Sequence, residues 1–268
     1  MPELSVFIIT KNEAADITDC LESLRGLADE IVVVDSHSTD ETAELCRREG
    51  ARVIPRVFDG YGSQKQFALD QARGTWALSI DADERVTPAL SCEIRMLIRS
   101  SPRHAGYQIR RHFYFLGKRL RYGGVGSDHV LRLFRRDCGF FRNLKVHERI
   151  EVRGTVGRLK NPIEHYSYPT LEEYMEKCNR YTTLAAQDLR ARGRRFAWWD
   201  HLRPGWELFT RVVLKSAWLD GHAGLTYAAL SSHAAWLRAI KLREMEMKFL
   251  VSGSKFLVPE TKDQKLET

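Results

Sequence analysis

Short unbroken apolar runs alternate with amphipathic stretches along the first hundred residues. Leu4 to Ile9 and Ile31 to Val34 are continuous and rich in β-branched residues, the pattern of strands buried on both faces. Between them Ile17, Leu21, Leu24 and Leu27 recur at helical spacing, which predicts a βαβ unit. Arg52 to Val57 and Trp76 to Ile80 read as third and fourth strands. Ser38 with Glu41 and Ser63 with Gln66 have capping-box spacing, and Gly74 stands where the second of these helices would close. Thr87-Pro88 opens another helix through Leu90, Ile94, Leu97 and Ile98. Strands alternating with helices predict an α/β fold: a Rossmann-like, mixed but mainly parallel sheet flanked by helices. Ligands of such sheets bind beyond the carboxyl ends of the strands.

Beyond Pro102 the texture changes. Tyr107 to Phe115 and His129 to Phe134 read as strands around the turn Gly123-Gly124-Val125-Gly126, giving a second half that is more antiparallel. That turn either lets the backbone approach a substrate or only reverses the chain. Thr170 and Glu173 cap a long helix. From Arg190 the chain is basic and aromatic, with two amphipathic C-terminal helices predicted around 205–219 and 224–250 and a mobile, polar tail over 251–268.

Composition narrows the classes. With 268 residues and 43% hydrophobic content the chain can bury one substantial core. Its five cysteines lack the close spacing of a zinc or redox motif, so they read as reduced thiols of a cytoplasmic protein. The N-terminal residues lack the pattern of a signal peptide, and Val212 to Leu237 is interrupted by Lys215, Asp220, His222 and His233, so no bilayer span is expected. A net charge of +7 favours an anionic partner. Nucleic acid is not expected, because carboxylates at three strand ends would repel a polyanion.

Those strand ends carry the candidate chemistry. Asp81-Ala82-Asp83 leaves the fourth strand with two carboxylates close enough to share a divalent cation, Mg²⁺ or Mn²⁺, on a diphosphate. An acidic turn is the plainer alternative. Asp35 ends the second strand, where it either accepts hydrogen bonds from a nucleoside or caps the following helix. Thr10, Asn12 and Glu13 follow the first strand, with a helix cap through Asn12 as the alternative.

Together the segments Val6 to Glu13, Ile31 to Asp40 and Leu78 to Glu84 resemble the linked strand-end signatures of glycosyltransferase family 2, whose fold is GT-A. The resemblance implies a metal-dependent, inverting hexosyltransferase using a nucleotide-sugar. On it, Thr10, Asn12, Glu13 and Asp35 line the base and ribose pocket, Lys65 reaches the nucleotide, Asp81 meets ribose or metal, and Asp83 ligates the metal. His165 is similar to a late histidine that completes the metal shell. Glu148 is the candidate base, with His147 as the fallback where the family often has an acidic pair.

Arg132 to Arg135, Lys145 to Glu148, His165 to Ser167 and Leu219 to Leu225 are similar to a subgroup, the lipopolysaccharide-core glucosyltransferases. That resemblance implies UDP-glucose as donor and a lipid-linked oligosaccharide as acceptor, with the enzyme peripheral on the anionic inner face of the cytoplasmic membrane. A polyprenyl phosphate, polysaccharide or protein acceptor is the alternative, and an inactive membrane-recruited scaffold or a nucleic-acid-binding protein is the non-enzymatic one. Residues 1–190 are then a catalytic domain, with a donor half (1–101) and an acceptor half (102–190), and residues 191–250 are a basic, aromatic helical extension. The extension contacts either a membrane or another copy in a homo-oligomer.

Overall fold

The computed structural model describes residues 2–126, 128–142 and 149–254. In chain order the first half runs β1 (Leu4–Thr10), α1 (Ile17–Ser23), β2 (Glu30–Asp35), α2 (Thr42–Arg48), β3 (Arg52–Pro55), α3 (Tyr61–Gln71), β4 (Trp76–Ser79), β5 (Glu84–Val86) and α4 (Pro88–Arg99). The second half adds β6 (Gly106–Phe115), β7 (Lys118–Leu120), β8 (His129–Arg135), β9 (Gly139–Arg142), β10 (Arg149–Val152), β11 (Val156–Arg158) and β12 (Ile163–Tyr168). Three helices follow: α5 (Leu171–Ala191), α6 (Arg203–Phe209) and α7 (Gly221–Ser254).

The main sheet has the order β3-β2-β1-β4-β8-β6-β12-β5, with β7 and β11 also on β6. β3, β2, β1 and β4 are mutually parallel. β8 then enters antiparallel to both β4 and β6. This is the expected mixed α/β architecture, and its order of construction reverses at β1, where a crevice opens beyond the carboxyl ends of β1 and β4. β9 and β10 form a separate hairpin.

The unbroken apolar runs form strands because both faces are covered. Val6, Ile8, Val33, Leu78 and Ile80 pack with α1 and α4 residues such as Leu21, Leu90 and Ile94. Phe7, Val32, Val34 and Ala77 face the other way, against Ala68 and Leu69 of α3. Phe7 also meets Phe134 and Phe141 edge-on, at 6.2 and 6.0 Å between centroids. Each such pair contributes about 0.5 to 1.5 kcal/mol beyond area burial, and together they join β1 to the antiparallel half.

Two predicted caps form differently. α2 begins at Thr42 with Asp40, not Ser38, receiving the Thr42 amide at 3.1 Å. Ser38 is drawn away to Asp35, whose buried carboxylate needs donors more than a solvent-exposed helix end does. α3 begins at Tyr61, which leaves Ser63 inside the helix. Thr87 and Thr170 cap as expected, accepting from the amides of Leu90 and Glu173. The tail is helical as far as Ser254, and 255–268 lies outside the described residues. All five cysteines are free thiols.

Gly74 does not terminate a helix; its role is close approach. Its amide donates to Ser5 Oγ at 2.7 Å, and a Cβ there would stand 2.6 Å from the Ser5 backbone nitrogen. Gly74→Ala should therefore push β1 away and lower stability by about 1 to 3 kcal/mol. The urea midpoint measures this; an unchanged midpoint would mean that the strand yields freely.

Candidate functional site

The loops after β1 and β2 are stapled into one platform. Asp35 is buried and accepts from Thr10 Oγ1 at 3.1 Å, from the Ser38 amide at 2.9 Å and from Ser38 Oγ at 2.5 Å. Asn12, in the left-handed region at φ 55°, takes the Thr39 amide on its Oδ1 at 2.8 Å and donates its own amide to Ser38 Oγ at 2.9 Å. That conformation suits asparagine better than most residues. The Glu13 amide donates to Thr42 Oγ1 at 2.8 Å. Burial, and then the negative charge of Asp83, push the Glu13 carboxyl up to about 7.

Asp81 and Asp83 occupy the turn between β4 and β5, closed by the Glu84 amide donating to the Asp81 carbonyl at 2.9 Å. They have different surroundings. Asp81 Oδ1 accepts from Lys65 Nζ at 2.9 Å, and Oδ2 accepts from the Arg132 guanidinium. The same guanidinium donates to Glu84 Oε1 at 2.5 Å, and Glu84 Oε2 takes the Asp81 amide at 3.0 Å. Burial opposes ionisation of Asp81, but Arg132 and Lys65 more than offset it and hold the carboxyl well below the ordinary range.

Asp83 faces β12 and α5. Its Oδ2 lies 3.3 Å from His165 Nε2 and 3.9 Å from Lys177 Nζ. Burial would raise its pKa, and the hydrogen bond and charge of His165 more than reverse that. His165 is placed by pairing opposite Glu84, and the Tyr166 amide donates to the Asp83 carbonyl at 2.9 Å.

Among the described residues no three metal-binding side chains form a complete cage. Asp83 and His165 supply one carboxylate and one imidazole, a pair that fits Mg²⁺ or Mn²⁺ when substrate phosphates and water complete the shell. Both oxygens of Asp81 already face cations, so metal ligation by Asp81 would require one of those pairs to open.

Beside Asp81 a cleft of about 410 Å³ is lined by Lys65, Arg111, His129 and Arg132, and by Phe141 and Ile150 of the β9–β10 hairpin. The cations make it receptive to an anion. His147 and Glu148 lie outside the described residues; in sequence Glu148 stands two positions before Ile150. The Gly123–Gly126 turn faces elsewhere: the Gly123 amide donates to the Lys215 carbonyl at 2.8 Å, on the C-terminal helices.

Sequence reasoning missed Arg132, Glu84 and Lys177. Strand alternation does not disclose the facing of Arg132, because the register shifts at Tyr107/Gln108 where β6 pairs β8. The usable signal was an arginine set between Leu131 and Leu133-Phe134 in an otherwise apolar strand, which demands a buried counter-charge. Arg135 is exposed, with its guanidinium 5.8 Å over the Trp76 ring. Arg132→Met would leave buried Glu84 and half-buried Asp81 without their shared cation, and should destabilise the chain by about 3 to 5 kcal/mol. Chemical denaturation tests this, and a loss below that of an ordinary surface substitution would deny the pair its structural weight.

The family profile described as Glycosyl transferase family 2 matches residues 5–156. The chain is 34% identical to the lipopolysaccharide core biosynthesis glycosyltransferase LpsC of Rhizobium meliloti (strain 1021), over 89% of this chain and 91% of that protein. It is 29% identical to an uncharacterized glycosyltransferase of Rickettsia typhi, over 92% of this chain and 89% of that one. A solved structure of Mycobacterium tuberculosis glucosyl-3-phosphoglycerate synthase with Mn²⁺, UDP and glucosyl-3-phosphoglycerate aligns with a TM-score of 0.44 at 19% identity, covering 72% of this chain and 81% of that one. By the extent of the profile match and the likeness to LpsC, the chain belongs to glycosyltransferase family 2.

Proposed function

We propose that this glycosyltransferase is an inverting, metal-dependent hexosyltransferase that moves glucose from UDP-glucose to a lipid-linked inner-core oligosaccharide of lipopolysaccharide. The observation that carries the reading is the meeting of the β1, β2 and β4 ends, with buried Asp35 and half-buried Asp81 at one crevice and Asp83 beside His165. The likeness to LpsC supports the choice of acceptor pathway. Thr10, Asn12, Glu13 and Asp35 form the base and ribose side, and Lys65 reaches the nucleotide's phosphates. The residues proposed to hold a divalent cation are Asp83 and His165; Asp81 serves the ribose side and reaches the metal only where its pair with Lys65 opens. The cation's contribution when bound is neutralisation of charge on the leaving diphosphate.

Glu148 serves as base in this reading. It takes the acceptor hydroxyl proton while that oxygen bonds to the anomeric carbon and the carbon–diphosphate bond breaks on the opposite face. The site works at the inner face of the cytoplasmic membrane, where a lipid-linked acceptor would be held. The catalytic domain spans 1–190, and the extension from 191 supplies the contact with that surface. Among the described residues no helix is long and apolar enough to cross a membrane.

Two substitutions separate the roles. Asp83→Ala should abolish Mn²⁺-dependent UDP binding in calorimetry, and wild-type protein that binds no UDP with Mn²⁺ would overturn the reading. Glu148→Gln should bind UDP with near-normal affinity while turnover falls by about 10² to 10⁴; normal turnover would remove Glu148 as the base. Mass spectrometry of lipopolysaccharide from a deletion strain tests the acceptor, and an unchanged core would exclude it.

A further inference from the structure

Residues 196–219 fold into short pieces around α6: a 3-10 turn at Trp198–His201, a π-helical turn at Thr210–Leu214 and another 3-10 turn at Ala217–Asp220. No residue of α6 or of the π turn is buried. The segment nevertheless carries large apolar side chains. Trp198 is 70% exposed, Leu202 62% and Trp206 64%, with Trp199, Phe209 and Val213 also exposed. Leu202, Trp206, Phe209 and Val213 recur at helical spacing, so they share one side of the α6 region. Trp198 and Trp199 adjoin each other at 6.0 Å, and Trp206 and Phe209 at 5.8 Å. So many large apolar side chains exposed within one short segment mark an interaction site rather than ordinary surface.

The charge around it selects the partner. Residues 196–219 have three basic residues, Arg203, Arg211 and Lys215, and two acidic ones, and Arg194 and Arg195 directly precede them. Asp200 is buried and serves Arg194 at 2.9 Å and Arg203 at 2.8 Å, while Glu207 serves Arg211 at 2.7 Å. Among the described residues Arg195 and Lys215, both exposed, have no carboxylate partner. Indoles beside uncompensated cations fit a surface that is apolar within and anionic at its edge. A second copy fits less well, because an isologous pair would oppose two net-positive faces.

We infer that residues 196–219 are a docking face for an anionic lipid bilayer, seated in the headgroup region without crossing it. The face is locked to the catalytic half through Asp220. Its Oδ2 accepts from the Arg121 and Tyr122 amides at 2.9 and 2.8 Å, and its carbonyl accepts from Lys118 Nζ at 2.7 Å. The loop that carries Arg121 and Tyr122 leads into β8, whose His129 and Arg132 line the cleft. Docking thereby sets the cleft at a fixed attitude to the membrane, and in this respect the inference rests on the proposal of a lipid-linked acceptor.

The experiment is flotation of the full-length protein with phosphatidylcholine vesicles, with and without phosphatidylglycerol. Binding should require phosphatidylglycerol, weaken with salt and shift tryptophan emission to the blue. A Trp198→Ser/Trp206→Ser/Phe209→Ser variant and an Arg195→Glu/Lys215→Glu variant should each lower the partition about tenfold or more. Both should keep wild-type UDP affinity, since no altered residue lies at the donor site. No vesicle binding, equal binding to neutral vesicles, or a wild-type dimer that the tryptophan variant dissociates would each overturn the inference. Absence of UDP binding with vesicle binding intact would instead defeat the donor assignment and leave the docking face standing.

Discussion

The Arg132 guanidinium between Asp81 and Glu84 is the constraint around which the two halves of the sheet are arranged. A fully desolvated cation is tolerated only when paired, and breaking such a pair costs more than forming it returns. β8 must therefore lie in the register that sets Leu133 opposite Leu78, which brings Arg132 to the turn after β4. That contact is also the seam where the parallel half meets the antiparallel half. Glu84 begins β5 and pairs opposite His165 of β12, so one cation indirectly fixes how β12 approaches Asp83. The turn is consequently not a free loop: its geometry is set by three strands from distant parts of the sequence.

How far the sequence disclosed this follows from which interactions are local. β1, β2 and β4 were legible because burial on both faces leaves an unbroken apolar run, and the polar residues that end them had to sit at the carboxyl edge. Thr10, Asp35, Lys65, Asp81, Asp83 and His165 are described, and the structure gathers them around that edge. The role of Arg132 was not legible, since it depends on a register shift that only pairing with β6 reveals. The Ser38 cap failed for a related reason. Spacing alone rates Ser38 as a good cap, but a buried Asp35 three residues earlier competes for the same hydroxyl and amide.

The C-terminal extension shows the same limit. Helical spacing over 205–219 is present, yet the region is not one helix. The Lys215 amide reaches the Thr210 carbonyl at 2.9 Å, a wider turn than α, and Ser216 at φ 53° then stops the helix. Asp220 gathers two backbone amides of the 121–122 loop, so tertiary hydrogen bonds decide where α7 begins. Arg211 bridges in the other direction, donating to the Gly123 carbonyl at 2.8 Å with its guanidinium 5.4 Å over Tyr227. Those anchors use the polar side of the segment and leave its tryptophans outward.

The two carboxylates of the Asp81-Ala82-Asp83 turn are chemically alike, and their partners separate them. A guanidinium has no lone pair to offer and cannot give up its proton in a protein, so Arg132 can only neutralise Asp81. Lys65, buried beside it, adds a second cation to the same carboxylate. Imidazole differs, since its neutral form presents a lone pair to a metal while a second nitrogen keeps a hydrogen bond. Ser167 Oγ lies 3.0 Å from His165 Nδ1 and 2.9 Å from Nε2, so it borders the ring without singling out either nitrogen. Asp83 with His165 is accordingly the pair able to change from a hydrogen-bonded contact into two ligands of one cation, while Asp81 with Arg132 remains an ion pair. In the proposed reaction this places the cation on the β12 side of the turn and leaves the Asp81 side, with its fixed positive partners, to orient the nucleotide.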